Sequence, residues 1–245
     1  MQIPITVWTY WENPAGLKTP SYLELCFDSM DKYCNTDNFV FKLVDNLNIH
    51  DLIPELRTDL NKLKVSNNPR ENISIKADYI RAKLLQKYGG IWLDADTIVM
   101  RSPDELVPLL NRKDFLYRTQ HEGLASVGVM ASIPNGVLIN EYIEQQDTLI
   151  DTKKTLSWGE NGSRILTPLV RKHSAITQSL GLVGSIPFSH WQQYFTNVLY
   201  EHDKTVWCYQ LYNKVFPEWF KQQNKEIILK DTTVISQLFR ISLGV

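Results

Sequence analysis

The stretch that decides the fold reads Ile75-Lys-Ala-Asp-Tyr-Ile-Arg-Ala-Lys-Leu-Leu-Gln-Lys-Tyr-Gly-Gly-Ile-Trp-Leu-Asp-Ala-Asp-Thr97. Apolar residues recur at helical spacing in its first part, which predicts a helix from Asn72 to Tyr88. Gly89 and Gly90 follow, and glycine readily adopts the positive φ angle that ends many helices. The apolar run Ile91–Leu93 then predicts a short buried strand. Two acids therefore stand at the carboxyl end of a strand.

Asp94 and Asp96 are separated by one residue, so in an extended segment their side chains point to the same side and can reach one cation. Open α/β sheets bind ligands at the carboxyl ends of their strands. Mg2+ and Mn2+ bind through one or two carboxylates together with the phosphates of a substrate. The pair therefore predicts a site for Mn2+ or Mg2+ and a diphosphate. The alternative is a solvated turn, because such short acidic pairs are common by chance.

Arg81 is unexpected where it stands, because it lies close to the apolar stripe of the predicted helix. Asp78 precedes it by three residues, so the two side chains are neighbours on the helix surface. One interpretation is a structural ion pair at the edge of the stripe. The other is that Arg81 binds phosphate oxygens of a donor, while Asp78 accepts hydrogen bonds from sugar hydroxyls. The spacing leaves both interpretations open.

Outside this stretch the patterns predict one mixed α/β domain over residues 1–245. The composition, 43% hydrophobic and 22% charged, supplies enough apolar material for a core. Further strands are predicted at Ile3–Thr9, Phe39–Val44, near Phe115 and at Val127–Ala131, and further helices at Ser21–Lys32, Pro103–Leu110, Val137–Ile150 and Ser163–Lys172. Residues 46–65 read as weak helices broken at Pro54, and residues 67–69 as a loop. The aromatic segment after residue 175 gives no pattern that we can assign.

Composition also limits the classes of function. The chain has 26 basic and 27 acidic residues and a formal net charge of -1, which argues against nucleic-acid binding through a broad basic surface. Its three cysteines have neither a zinc-binding spacing nor an even number for disulfides, which favours a reducing compartment. The N-terminus lacks a signal-peptide pattern, and no apolar run reaches the length of about 18 residues that spans a bilayer. We therefore expect a cytoplasmic protein with at most peripheral contact with the inner face of the cell membrane.

The stretch 75–97 resembles the sugar-binding region of the DXD-motif glycosyltransferases of capsule and O-antigen synthesis, which are similar to glycosyltransferase family 32. Yeast-type mannosyltransferases and clostridial glucosylating toxins look similar there. The resemblance implies a GT-A fold, with a Rossmann-like mixed central sheet flanked by helices. It also implies a metal-bound nucleotide sugar, catalytic roles for Arg81, Asp94 and Asp96, and donor binding by Asp78. Residues 1–100 would form the nucleotide-sugar-binding half of the domain and residues 101–245 the acceptor-binding half.

The N-terminal segment is similar to the same family. Ile3–Trp11 looks like the family's first strand, whose end contacts the nucleotide base. This resemblance implies that Trp8, Thr9 and Tyr10 bind the base of the donor.

A segment in the second half resembles a family loop that leads into a helix. It runs from Trp158 to Thr167 and carries Gly162-Ser163 where the family has Gly-Pro. The resemblance implies that Asn161, Gly162 and Ser163 hold sugar or phosphate oxygens through free N–H groups at the helix start. A simple helix cap explains the same residues equally well.

The chain departs from the family near its end. Capsule-type members carry a His-x-Trp-Asn segment, whereas this chain reads Gln210-Leu-Tyr-Asn213. A neutral amide binds a hard ion more weakly than a charged ligand does. Gln210 and Asn213 remain candidate metal ligands beside Asp94 and Asp96, and which of the two completes the site stays open. Candidate carboxylates of an acceptor site are Glu122 and Glu160.

The resemblance predicts a retaining, metal-dependent enzyme that moves a hexose from a nucleotide diphosphate sugar to a hydroxyl of a lipid-linked surface polysaccharide. Uridine is favoured over guanosine as the base of the donor. One alternative is a phosphatase of the haloacid-dehalogenase type with Asp94 as nucleophile and Asp96 as acid, although the later acidic pair of that class is missing from the sequence. A second alternative, an inactive sugar-binding module, is favoured only by Gln210.

Overall fold

The computed structural model describes residues 4–13, 16–64, 69–120, 123–181 and 183–245. Its strands are β1 (Ile5–Tyr10), β2 (Phe39–Val44), β3 (Gly90–Leu93), β4 (Thr97–Val99), β5 (Phe115–Thr119), β6 (Ala125–Ser132), β7 (Thr177–Leu180), β8 (Val183–Gly184) and β9 (Cys208–Gln210). Its α-helices are α1 (Ser21–Cys34), α2 (Ile49–Leu52), α3 (Pro69–Tyr88), α4 (Leu106–Leu110), α5 (Val137–Thr152), α6 (Ser163–Lys172), α7 (Glu218–Lys221), α8 (Lys225–Lys230) and α9 (Val234–Leu243). Two 3₁₀ helices span Thr58–Lys62 and Phe188–Phe195. The fold is mixed α/β, as the sequence predicts.

The central sheet has six strands in the order β2-β1-β3-β6-β5-β7. β6 runs antiparallel to its neighbours β3 and β5, and the other strand pairs are parallel. The carboxyl ends of β1, β2, β3, β5 and β7 therefore meet at one edge of the sheet. We call this edge the carboxyl edge. It is where a ligand site of an open α/β sheet is expected.

Both faces of the sheet are buried. Successive side chains of a strand point to opposite faces, so Trp8 and Trp92 join one apolar cluster with residues of α3, α5 and α6. Val7 and Ile91 join another cluster with residues of α1 and α4. Helices on both faces explain why the strands read as nearly continuous apolar runs instead of alternating ones.

A second, three-stranded sheet in the order β4-β9-β8 brings the C-terminal part of the chain back to the carboxyl edge. Thr97 of β4 pairs with Gln210 of β9 in antiparallel register. Because β4 starts one residue after Asp96, this pairing fixes Gln210 beside the acidic turn. The sequence does not predict β4, β7, β8 or β9, all of which have four residues or fewer.

The aromatic residues after position 175 form a packed cluster with α1 and α9. Its members include Tyr22, Tyr194, Phe216, Phe220 and Phe239, all almost completely buried. Many of the rings meet edge to face, which is the arrangement that aromatic quadrupoles favour. This segment is held by ring packing between elements distant in the chain, which explains why it carries no local periodicity.

Several predicted elements are confirmed with shifted ends. The predicted helix 72–88 is α3, which begins at Pro69, and the predicted strand Ile91–Leu93 is β3. The first strand is Ile5–Tyr10 rather than Ile3–Thr9, and Ile3 lies outside the described residues. The predicted helix from Pro103 is reduced to Leu106–Leu110. Residues 67–68 of the predicted loop also lie outside the described residues.

Among the described helices, none combines the length and the apolar composition that a membrane span needs.

The stop after α3 depends on two glycines, as expected from the sequence. Gly89 and Gly90 have φ angles of 66° and 102°. A Cβ on Gly90 would lie 2.2 Å from the carbonyl oxygen of Thr6, because β1 and β3 approach closely there. The indole N–H of Trp8 donates to the carbonyl oxygen of Gly89 at 2.9 Å. The turn thus joins α3 and β1 to the strand that carries the acids.

We predict that Gly90→Ala destabilises the chain by about 1–3 kcal/mol or more, because the new Cβ meets backbone and the φ angle is strained. Gly181→Ala is the matched control, since a Cβ on Gly181 would have no atom of the described residues within 4 Å. Urea denaturation of both variants measures the two free energies of unfolding. Equal effects of the two substitutions would contradict the role given to Gly90.

Candidate active site

Arg81 of α3 joins two acids at the carboxyl edge. Its guanidinium lies 2.9 Å from a carboxylate oxygen of Asp78 and 3.1 Å from one of Asp94. It also donates to the carbonyl oxygens of Ala77 and Val127. The side chain is buried, with a relative exposure of 5%. Arg81 therefore ties α3 to β3 and β6 and places both carboxylates.

The Asp94 carboxylate is held from three directions. One oxygen accepts from the indole N–H of Trp92 at 2.9 Å, besides its contact with Arg81. The other accepts from the side-chain amide of Gln210 at 3.3 Å. The backbone N–H of Asp94 donates to Gly128 at 2.8 Å, which extends the pairing of β3 with β6 by one residue. The orientation of this carboxylate is thus fixed before any ligand arrives.

Asp96 lies in the turn between β3 and β4 and is held by backbone groups. One of its carboxylate oxygens accepts from the N–H of Asn213 at 2.7 Å, and its carbonyl oxygen accepts from the N–H of Leu211 at 2.8 Å. The side chain of Asn213 in turn accepts from the hydroxyl of Tyr22. In the described parts of the chain no basic side chain lies within 4 Å of the Asp96 carboxylate, in contrast to Asp94. Among the described residues, the nearest charge that opposes that of Asp96 is Arg81, which acts on it without a direct ion pair.

Burial shifts the acids toward the neutral form. Desolvation and the nearby charge of Asp94 raise the pKa of Asp96 to about 7, in spite of the hydrogen bond from Asn213. Desolvation also raises the pKa of Asp78 to about 6, although Arg81 opposes the shift. Two acids with raised pKa values at one edge of a sheet are a common mark of a functional site. They also indicate a place where a cation would be stabilised.

Gln210 stands between Asp94 and a second arginine that the sequence did not single out. Its amide oxygen accepts from the guanidinium of Arg118 on β5 and, at 3.4 Å, from the hydroxyl of Ser126. Arginine has only donors, so the amide must turn its oxygen toward Arg118 and its NH2 group toward Asp94. The predicted metal ligand Gln210 therefore offers Asp94 a donor and has its oxygen engaged elsewhere.

Two glycines leave room for the acids. A Cβ on Gly128 would lie 1.7 Å from the Gln210 amide nitrogen and 2.6 Å from an Asp94 carboxylate oxygen. A Cβ on Gly162 would lie 3.1 Å from a carboxylate oxygen of Asp78. Gly162 is one of the predicted site residues, whereas the sequence gives no sign of Gly128, whose role depends on a contact between distant segments.

Asn161 and Ser163 flank Gly162 in different surroundings. Asn161 is buried, its side chain donates to the carbonyl oxygen of Ile75 at 3.2 Å, and its own carbonyl oxygen accepts from Gln146 at 2.7 Å. Its amide is therefore used to join α3 to the loop before α6. Ser163 is the first residue of α6 and is partly exposed.

The three predicted base contacts lie at the end of β1 but are enclosed. Trp8, Thr9 and Tyr10 have relative exposures of 1%, 0% and 4%. The Trp8 ring packs against Tyr88, and the Tyr10 hydroxyl donates to the carboxylate of Glu12. Neither Trp8 nor Tyr10 presents a free aromatic face to a base in this structure, and Thr9 is completely buried. The sequence places these residues on the first strand but does not reveal their burial, and their contact with a base stays a prediction.

The predicted acceptor acids fall in two different situations. Glu122 lies outside the described residues. Glu160 pairs with Lys153 and accepts from the N–H of Ser157 at 2.7 Å, which lowers the pKa of its carboxyl. Its role in an acceptor site stays a prediction.

The carboxylates of Asp94 and Asp96 suit a metal ion only if a bound ligand supplies further oxygen atoms. In residues 4–13, 16–64, 69–120, 123–181 and 183–245, the His, Cys, Asp and Glu side chains form no group of three or more that could hold a metal ion. Asp94 and Asp96 are two carboxylates, and Asp96 carries a charge that burial and Asp94 disfavour. Mg2+ and Mn2+ commonly take one or two carboxylates and complete their shell with phosphate oxygens and water. The residues fit an ion that arrives with a diphosphate.

Solved structures with the same fold are glycosyltransferases. The chain is similar to the glycosyltransferase GlyE of Streptococcus pneumoniae, with a TM-score of 0.53 and 13% identity over 99% of this chain and 64% of that one. Mouse xyloside xylosyltransferase 1 matches with a TM-score of 0.52 and 12% identity, covering 88% of this chain and 99% of the other. The galactosyltransferase LgtC, in complex with donor and acceptor sugar analogues, matches with a TM-score of 0.51 and 12% identity over 98% and 96% of the two chains.

Identities this low show the fold alone, and the fold is the GT-A fold. The fold agrees with the family match over residues 1–132, and the two together show that the chain is a glycosyltransferase. No curated protein sequence matches the chain. The family model described as "Capsular polysaccharide synthesis protein" matches residues 1–132, and the chain belongs to that family. This family assignment contradicts the alternative of a haloacid-dehalogenase-type phosphatase.

We predict that Asp96→Asn makes the ligand-free protein more stable at alkaline pH. The pKa of Asp96 is raised from 3.8 to about 7 in the folded chain, so the folded state binds more protons than the unfolded state between those values. The free energy of unfolding of the parent therefore falls as the pH rises from about 4 to about 7. Removing this titration should raise that free energy at pH 8 by on the order of 1–3 kcal/mol and reduce its dependence on pH.

Urea denaturation at pH 5 and pH 8 measures this effect. Asp37→Asn is the control, because Asp37 is an exposed acid away from the site. A variant at position 96 that gains no stability at pH 8 relative to pH 5 would show that the charge of Asp96 is compensated in the folded protein.

Proposed function

We propose that the chain transfers a hexose from a nucleotide diphosphate sugar to a hydroxyl of a capsule or O-antigen polysaccharide, in a metal-dependent reaction that retains the anomeric configuration. The donor is a UDP sugar. The observation that carries the proposal is the cluster of Asp78, Arg81, Asp94 and Asp96 at the carboxyl edge of the sheet. Retention, the uridine base and a lipid-linked acceptor follow from the resemblance of residues 75–97 to the DXD-motif enzymes.

Asp78 and Asp94 are the groups that we assign to the sugar and ribose hydroxyls of the donor. A carboxylate accepts hydrogen bonds from hydroxyls, and Arg81 holds both carboxylates at fixed positions. Arg81 already donates to two acids and two carbonyl oxygens, so it acts chiefly as a positioning residue. Gly162 keeps the space beside Asp78 free of a side chain.

Asp96 is the residue that we assign to the metal ion, with Asp94 beside it. When bound there, a divalent ion would supply positive charge opposite a diphosphate leaving group, an effect typically worth several kcal/mol. The N–H groups of Asn213 and Leu211 fix the turn that carries Asp96. Asn213 therefore serves the site through its backbone, and Gln210 serves it by orienting Asp94.

The nucleotide base is assigned to the surface at the end of β1. The Trp8 side chain does not reach this surface, because its indole is enclosed and donates to Gly89, which precedes β3 at the opposite edge of the sheet. The residues beyond it become accessible: Trp11 and Glu12 are partly exposed, and Glu12 pairs with Lys76 at 2.6 Å. A base at this position would meet Trp11 first, because Trp11 is partly exposed whereas the Tyr10 ring is enclosed.

Turnover of a panel of UDP and GDP sugars with Mn2+ tests the proposal. A UDP hexose should be consumed, excess EDTA should abolish the reaction, and proton NMR should show the anomeric configuration of the donor in the product. Asp94→Asn should reduce turnover by about 100-fold or more if this carboxylate is used in the transition state, whereas Asp37→Asn should retain the parent's rate. Undiminished transfer in EDTA, or an inverted product, would contradict the metal or the retention respectively.

A further inference from the structure

A cavity of about 300 Å³ opens at the carboxyl edge on the far side of Gln210 from Asp94. Its lining consists of Arg118, Thr119, Gln120, Val183, Gly184 and Ser185. This volume is at the lower end of small-molecule sites, about 300–1,000 Å³, and suits one sugar-sized group. The site assigned to the donor does not use it.

Arg118 is a buried cation whose partners among the described residues are neutral. Its relative exposure is 6%, and its guanidinium donates to the amide oxygen of Gln210 and to the hydroxyl of Ser185. Both partners are neutral, and no carboxylate of the described residues lies within 4 Å of it. Arg81 shows the contrast, because it is equally buried but pairs with Asp78 and Asp94. Burying a charge without an opposite charge is costly, so an anion in the cavity would stabilise Arg118.

The cavity lies beside the region that we assign to the donor. β5, which carries Arg118, is separated from β3 by β6, so it lies roughly 10 Å from β3 at about 4.8 Å per strand. The amide of Gln210 lies between the two regions, with its NH2 toward Asp94 and its oxygen toward Arg118. A ligand in the cavity would therefore be next to the donor without overlapping the diphosphate.

We propose that this cavity binds a carboxylate-bearing sugar unit of the acceptor glycan, with Arg118 as the partner of the carboxylate. The inference rests on the proposed function and names the chemistry of its acceptor. A planar guanidinium matches the two oxygens of a carboxylate, and the hydroxyls of Thr119 and Ser185 and the amide of Gln120 can bind sugar hydroxyls. One arginine balances one carboxylate, whereas a phosphate group of higher charge would remain partly uncompensated.

Saturation-transfer NMR titrations of the full chain with methyl β-D-glucuronide and methyl β-D-glucoside test the inference. The acidic sugar should bind at least about tenfold more tightly than the neutral one, because a charge-assisted hydrogen-bond pair exceeds a neutral contact by at least that factor. Arg118→Met should remove the preference. Arg112→Met is the matched control, since Arg112 is exposed and lies outside the cavity, and it should keep the preference.

A second pair of variants tests the inference even if Arg118→Met does not fold. Thr119 is exposed at the rim, so Thr119→Glu adds a repelling charge without removing Arg118 and should weaken glucuronide binding about tenfold. Thr119→Gln adds a neutral side chain of the same length and should not. Equal binding of the two sugars, or a preference unchanged in Arg118→Met and Thr119→Glu, would overturn the inference. Inorganic phosphate that binds in an Arg118-dependent way more tightly than the glucuronide would also overturn it.

The same samples separate this inference from the proposed function. Binding of the glucuronide is measured without donor, and binding of UDP with Mn2+ is measured without the sugar. A chain that binds UDP but shows no preference for the acidic sugar keeps the proposed transferase and loses the acidic acceptor. A chain that binds the glucuronide through Arg118 but not UDP keeps the cavity site and loses the proposed donor.

Discussion

The buried guanidinium of Arg81 holds the candidate site together, because it joins α3 to Asp94 while also pairing with Asp78. Without it, two carboxylates would face each other in a desolvated place where each disfavours the charge of the other. With it, the helix, the strand that carries the acids and β6 share one hydrogen-bonded centre. The geometry of the donor site is therefore set by a contact inside the protein before any ligand binds.

This arrangement changes what a substitution of Arg81 can reveal. An arginine near the apolar stripe of a helix would be expected to tolerate replacement by methionine at little cost. The structure indicates the opposite, since removing one member of a buried ion pair leaves the others uncompensated and typically costs about 3–5 kcal/mol. Loss of activity in Arg81→Met would thus mix a folding defect with a catalytic one. Asn substitutions of the acids, which keep the shape of the side chain, separate the two better.

Local sequence patterns predict the parts of the fold that depend on neighbours in the chain. The apolar spacing of α3, the glycine stop and the short strand β3 are all read from one continuous stretch, and they place Asp94 and Asp96 at the carboxyl edge. The features that sequence patterns miss depend on contacts between distant segments. Gly128 has its role only because β6 meets Gln210 and Asp94, and Arg118 is significant only because β5 and β9 come together.

The same limit applies to predicted site residues that the structure encloses. Trp8 lies on β1 and Asn161 lies shortly before α6, in the two segments that resemble the family. Their side chains, however, bind Gly89 and Ile75 inside the core. A resemblance in sequence predicts which element a residue lies on. Whether the side chain is exposed depends on its packing against distant segments, which a single sequence does not show. Gln210 illustrates a further case, because its amide orientation is decided by Arg118.

The proposed donor site depends on Asp96 holding a divalent ion that brings in a nucleotide diphosphate. Calorimetric titration of UDP into the parent and into Asp96→Asn, each with and without Mn2+, measures this dependence. The parent should bind UDP only when Mn2+ is present and should bind Mn2+ weakly without UDP, whereas folded Asp96→Asn should bind neither measurably. UDP binding of equal strength without metal, or undiminished metal-dependent binding to Asp96→Asn, would show that Asp96 does not hold the ion.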